Sequence, residues 1–264
     1  MRTRKSAIGE YIRAGSAAAK GLQRLLEMTE VYPSSVASSL IPFAFLNKAF
    51  QLHTAVLSLC RSGFGSEAYG LSRTMIEMFI ALRWITNQNQ ETRAKEYGFF
   101  SEKRKDYLMK TAARYMQPTE EWERAKRKEE ARVMKYAARY RSFKFWANLP
   151  SSLRGLASEP EQLDGHDLVG NDALWEYEIP YSQASDHVHA TVVAVDDFIP
   201  KAARPFRVER SRSESLEEDA VFASTIYLFK LVRRVHSARH LDISGGIDRV
   251  FQRFAKRHRR LAAF

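Results

Sequence analysis

Six residues on apolar helix faces have the side chains that acid–base and phosphate chemistry use: His53, Arg73, Glu77, Tyr181, Ser185 and His189. Arg73 and Glu77 are four positions apart, about 40° around a helix axis. Tyr181, Ser185 and His189 recur at i, i+4 and i+8 and form one stripe. His53 lies within Phe50-Gln-Leu-His-Thr-Ala-Val-Leu, an otherwise apolar segment. Ionisable groups on core faces must be paired or hydrogen-bonded. The spacing therefore predicts that three helices deliver these six groups to one bundle interior. There Arg73 would stabilise charge on a phosphate, His189 would act as general acid or base, and Glu77 and Tyr181 would orient them. A second reading stays open, in which the same groups only fix packing: a satisfied core histidine, a helix-pinning ion pair and hydroxyls bonded to backbone.

A metal alternative uses Glu77, His53, His187 and His189, with Asp186 or Asp196 outside them. No His-Glu-x-x-His, Glu-x-x-His or Cys-x-x-Cys spacing supports it. On a regular helix His187 and His189 point about 200° apart. The sequence also lacks a phosphate-binding glycine loop, a dinucleotide fingerprint and a Gly-x-Ser-x-Gly elbow. Neither a metal nor a cofactor is expected.

Positioning these groups falls to helices, because strand signals are scarce and glycine and proline cluster between long periodic stretches. The expected fold is all-α, an antiparallel helical bundle with a basic C-terminal helical extension. Helices are predicted at about 5–30, 35–62, 65–89, 91–116, 119–147, 181–198, 215–241 and 246–261. Residues 1–200 are read as the bundle domain, and 201–264 as the basic extension packed on the same domain. Within the third predicted helix, Ala68, Leu71, Met75, Met78, Leu82 and Ile85 make an apolar stripe, while Ile80 and Trp84 cover the other side. A helix apolar nearly all round is a central one. Ser66 and Thr119 are expected N-caps. Pro150 to Pro180 is read as a long loop. The apolar stretch from Val36 to Cys60 contains Asn47, Lys48, Gln51 and His53, so it reads as a core helix and not a membrane span. No signal peptide is expected, since no apolar segment follows the basic start.

The pattern His53-x-x-Ala-Val-Leu-x-Leu, then Ala68-x4-Arg73-x3-Glu77-x6-Trp84-Ile85, then Tyr181-x3-Ser185-x3-His189, resembles a bacterial helical family, domain of unknown function 5677. The resemblance spans about residues 40–200. It implies that Arg73, Glu77 and His189 belong to one site, and it brings no established chemistry. A weaker similarity is to the HEPN-type helical ribonucleases of bacterial toxins and phage defence, which use an Arg-x4–6-His motif. Arg234-x5-His240 and Arg253-x4-His258 match that spacing, but Val235 and Phe254 replace the polar residue that usually follows the arginine. This similarity implies metal-independent RNA cleavage and sites paired in a homodimer.

The chain has 264 residues, 42 of them Lys or Arg and 31 Asp or Glu, for a net charge of +11. This composition excludes collagen-like, disulfide-framework and wholly disordered chains. Cys60 is the only cysteine, which rules out an intramolecular disulfide and sets a reducing cytoplasm as the expected location. The charge is unevenly placed: +7 over residues 91–144, −9 over 145–200 and +8 over 201–264. Basic helices interleaved with aromatics suit a polyanion, and RNA is expected more than DNA. A homodimer or a protein partner is the other expected association. The function that follows is a nucleic-acid-directed helical effector, a metal-independent ribonuclease-like toxin or phage-defence protein. The alternative is a non-catalytic helical interaction or sensor module.

Overall fold

The computed structural model describes residues 4–29, 37–115, 119–139, 149–158, 173–188 and 216–258. Every regular element among them is helical. In chain order these are α1 (Arg4–Glu27), α2 (Ala37–Arg61), α3 (Gly65–Asn87), α4 (Gln90–Ala112), α5 (Glu120–Arg139) and α6 (Leu149–Ala157). Then come α7 (Ala173–Glu176), a π-helical turn (Tyr177–Tyr181) and α8 (Ser182–Val188). Last are α9 (Glu217–Arg239) and α10 (Ser244–Arg257). The all-α bundle read from the sequence is the observed fold. No helix among the described residues is long and apolar enough to cross a membrane.

α3 is the axis. Met75, Ile76, Phe79, Ile80, Leu82 and Ile85 are all buried, over more than half of that helix's circumference. α9 is its main neighbour and contributes Leu228, Phe229, Leu231, Val232 and Val235 to the same core. α2 packs against both, and α1 lies on α9 with α10 closing over it. α4 rests on α2 and α3, and α5 packs on α4. The segment α6 to α8 runs across α3. Thus α9, from the segment read as a C-terminal extension, sits inside the bundle.

Local signals explain the joints. Gly63 takes a φ of 82°, which glycine adopts without steric cost. Phe64 N–H donates to Leu59 O and Gly63 N–H to Cys60 O, so α2 ends in a Schellman turn. α3 starts at Gly65, inside which Ser66 is buried and makes no cap. Thr119 does cap: its Oγ1 accepts from Trp122 N–H at 3.2 Å at the start of α5. The C-terminal carbonyls of α3 receive two buried cations. Arg234 of α9 donates to Thr86 Oγ1 at 2.5 Å and Arg83 O at 3.1 Å, and Arg93 of α4 donates to Trp84 O at 2.7 Å. Cations belong at that negative end of a helix.

The segment Pro150 to Pro180, expected as a loop, is partly helical. α6 covers its start, and the turn of helix that carries Tyr181 begins at Ala173 and passes through Pro180. Proline breaks an α-helix because it lacks an N–H and its ring crowds the preceding turn. Here the chain widens into a π turn at that point, and helical winding continues.

Candidate phosphate-binding cleft between the third and eighth helices

Arg73 projects from α3 toward the π turn and α8. Its Nη2 donates to Tyr181 Oη at 2.8 Å, and its Nε lies 3.2 Å from Glu77 Oε1. The guanidinium carbon also stands 4.9 Å from the centre of the Tyr181 ring. The side chains of Arg73 and Glu77 are 20% and 32% exposed, so the pair is at the wall of a cleft and not sealed in the core. Tyr181 shares a hydrogen bond with the Ser185 hydroxyl, one turn along. Burial lifts the Tyr181 phenol above its ordinary pKa, and the Arg73 hydrogen bond pulls the other way. The phenol is therefore a neutral hydrogen-bonding group at neutral pH. Tyr97 of α4 is pushed up to about 12, first by burial and then by the charge of Glu77.

The cleft in front of this network has a volume of about 550 Å³. That is the range of small-molecule sites, about 300–1,000 Å³. It is lined by Arg73, Arg154, Tyr177, Glu178, Tyr181, Ser182 and Ser185. Arg154 comes from α6, and its Nη2 donates to Glu178 Oε1 at 3.2 Å. Tyr177 stacks on Tyr181, with ring centres 5.0 Å apart and planes 17° apart. Together with Glu178, the partner of Arg154, two arginines and two serines thus line one open space. Donors of this kind bind phosphate oxygens, and arginine does so with two parallel N–H groups.

Of the six residues singled out by sequence, Arg73, Glu77, Tyr181 and Ser185 come together. His53 is elsewhere. Its Nδ1 hydrogen-bonds Ser224 Oγ of α9 at 3.0 Å, and its Nε2 contacts Gly15 O of α1 at 3.2 Å. Gly15 permits this close approach, since a Cβ there would meet Thr225 Oγ1 at 3.1 Å. Burial lowers the His53 pKa to about 4. His53 is a neutral packing residue among α1, α2 and α9. His189, the side chain of His187, and Asp196 lie outside the described residues. Among the described residues, no three His, Cys, Asp or Glu side chains are grouped to hold a metal ion.

The two Arg-x-His matches do not form a ribonuclease pair. Arg234 is buried and committed to the end of α3, while His240 is the left-handed C-cap of α9. Arg253 is exposed, whereas His258 is buried against Tyr11, Phe222 and Phe254. A shared catalytic site needs both groups on one accessible surface.

Sequence reasoning missed Arg154, Tyr177 and Ser182. A signal for Arg154 existed: it is the lone cation in residues 145–200, which hold 10 acidic groups. Also missed was a buried cluster behind the π turn. Glu176 and Lys230 are each 2% exposed and ion-paired, and Tyr227 hydrogen-bonds the same carboxylate. Lys230 also lies 5.0 Å from the centre of the Phe79 ring. Burial and then Glu176 hold the Tyr227 phenol far above its usual pKa. The signal was a lysine inside Tyr227-Leu-Phe-Lys-Leu-Val, which only a buried partner satisfies.

A family model described as "Family of unknown function (DUF5677)" matches residues 39–202, more than half of the chain. The chain belongs to this family. Arg73, Glu77, Arg154, Tyr181 and Ser185 all lie within the DUF5677 region, whereas Lys230 and Tyr227 lie beyond it. No curated protein and no solved structure matches the chain.

Proposed function

We propose that the protein is a nucleic-acid-directed helical effector that takes a phosphate group of RNA in the cleft between α3 and α8. The observation that carries this reading is the half-buried Arg73, fixed by Glu77 and Tyr181 at the wall of an open cleft that also presents Arg154, Ser182 and Ser185. An arginine whose orientation is already set loses less entropy on meeting a phosphate.

In the catalytic form of this reading the effector is a metal-independent ribonuclease of the toxin or phage-defence type. A base removes the proton of the ribose 2′-hydroxyl, whose oxygen attacks phosphorus. The 5′-oxygen leaves with a proton from an acid, giving a cyclic phosphate and a free 5′-hydroxyl. Arg73 would stabilise the charged phosphorane. His189, one helical turn beyond Ser185 in the sequence stripe, would carry the proton. Incubation of the purified protein with total RNA, with and without chelator, tests this form. Chelator-resistant cleavage that His189→Ala abolishes is expected. RNA left equally intact by wild type and His189→Ala would overturn catalysis while leaving binding to be measured separately.

A second reading is a non-catalytic interaction module whose polar clusters are structural. The Glu176–Lys230–Tyr227 cluster and the His53 contacts favour it, since both are sealed from solvent. It predicts that Arg73→Met with Glu77→Leu retains both fold and RNA binding, with a change in stability of under about 1 kcal/mol. Loss of RNA binding by that folded double variant would count against it.

A further inference from the structure

α5 carries a second surface. Arg124, Arg127, Lys128, Arg132 and Lys135 are all exposed. Their 3–4 spacing places them on one arc of about 140° around the helix axis, over a length of about 16 Å. From residue 124 to 135 that arc holds no acidic group, while Glu120 and Glu121 stand exposed on the same arc in the first turn. The acids of the same stretch, Glu129 and Glu130, are half-buried. Glu130 faces Lys110 of α4 at 3.9 Å. Acids in a first turn answer the positive end of the helix, but beyond it a merely solvated face mixes both signs, because opposite charges at i, i+4 stabilise it and like charges do the reverse. Here like charges stack over the three turns from Arg124 to Lys135, on a helix whose packing neighbour is α4.

We propose that this face of α5 is a track for the sugar–phosphate backbone of RNA, separate from the cleft. Charge complementarity selects the partner: a line of cations binds a line of phosphates and releases the counterions condensed on them. A membrane surface would ask for an apolar strip beside the cations. Met134 is the one large apolar side chain of the described part of α5 that stands well exposed. The inference takes its ligand class from the proposed function, but none of its residues.

The test uses the full chain and a short labelled polyuridine RNA, titrated over a range of salt. One variant carries Arg127→Gln, Lys128→Gln and Lys135→Gln. A control, Arg13→Gln, Lys20→Gln and Arg24→Gln, removes the same charge from exposed positions of α1. The α5 variant is expected to bind about tenfold more weakly at low salt, with the slope of log K against log salt reduced by about 2. The control should keep the wild-type slope. Equal losses in both variants, or an unchanged slope in the α5 variant, would overturn the track. So would loss of binding to phosphatidylserine vesicles with RNA binding intact. Arg73→Lys, which removes no charge, separates the two ideas. If it binds RNA like wild type while the α5 variant fails, the cleft reading fails and the track stands; the reverse pattern sinks the track alone.

Discussion

Arg73 owes its orientation to two neighbours, Glu77 and Tyr181. Glu77 ion-pairs at Nε, Tyr181 accepts a hydrogen bond from Nη2, and the guanidinium carbon stands over the Tyr181 ring. Tyr181→Phe keeps the ring and removes the hydroxyl. It is expected to cost about 1 kcal/mol in stability and to weaken RNA binding severalfold, read by a urea melt and a binding titration on the same sample. An unchanged affinity would mean that the hydroxyl does not orient Arg73. His53 has a different fate. Folding keeps its imidazole neutral until about pH 4, whereas the unfolded chain gains a proton near its ordinary value of 6.5. The unfolded state thus binds more protons in that window. The stabilising contribution of neutral His53 is complete above about pH 6.5, declines as pH falls, and is about 3 kcal/mol smaller by pH 4. His53→Gln keeps polar atoms near Ser224 and Gly15 but cannot titrate. Its stability should fall by about 2 kcal/mol less than wild type between pH 7 and 5, measured by urea midpoints; parallel curves would refute this. The 3–4 spacings of Arg73 with Glu77 and Tyr181 with Ser185 were legible in the sequence because neighbours on one helix face need no tertiary knowledge. The partners of His53 were not, because a glycine carbonyl and a serine hydroxyl leave no mark in the residue pattern.

Helical elements with sustained periodicity were equally legible. The stripe from Ala68 to Ile85 predicts the central helix α3, and the apolar run around Tyr227 predicts α9. The π turn was hidden because Pro180 reads as a stop signal, and only packing explains why winding continues through it. Glu176 immediately precedes that turn and is held by Lys230 and Tyr227 of α9. This buried pair therefore ties the element carrying Tyr177 and Tyr181 to the core. Lys230→Met leaves a buried carboxylate and should destabilise the protein by about 3–5 kcal/mol. Adding Glu176→Leu should restore most of that loss, because two apolar side chains replace the pair. Denaturant melts of the single and double variants form the check. A double variant no better than the single would show that the carboxylate itself, through Tyr227, anchors the turn.

At the scale of the whole molecule, a net charge of +11 is divided by the fold. α5 displays cations outward, while acidic residues accumulate in the 145–200 stretch, where Arg154 lines the cleft. The excess charge could be read from composition, but its segregation onto one face of α5 required knowing which side meets α4. The cleft is the part of this arrangement that depends on geometry more than on charge, and a charge-conserving change isolates it. The deciding measurement is a calorimetric titration of short single-stranded RNA into wild type and Arg73→Lys with Arg154→Lys, at one fixed salt concentration. Lysine keeps the charge and loses the two-pronged hydrogen bonding, so the double variant should stay folded, with stability lower by no more than about 2 kcal/mol, and bind at least about tenfold more weakly. Affinity equal to wild type would contradict a phosphate site in this cleft.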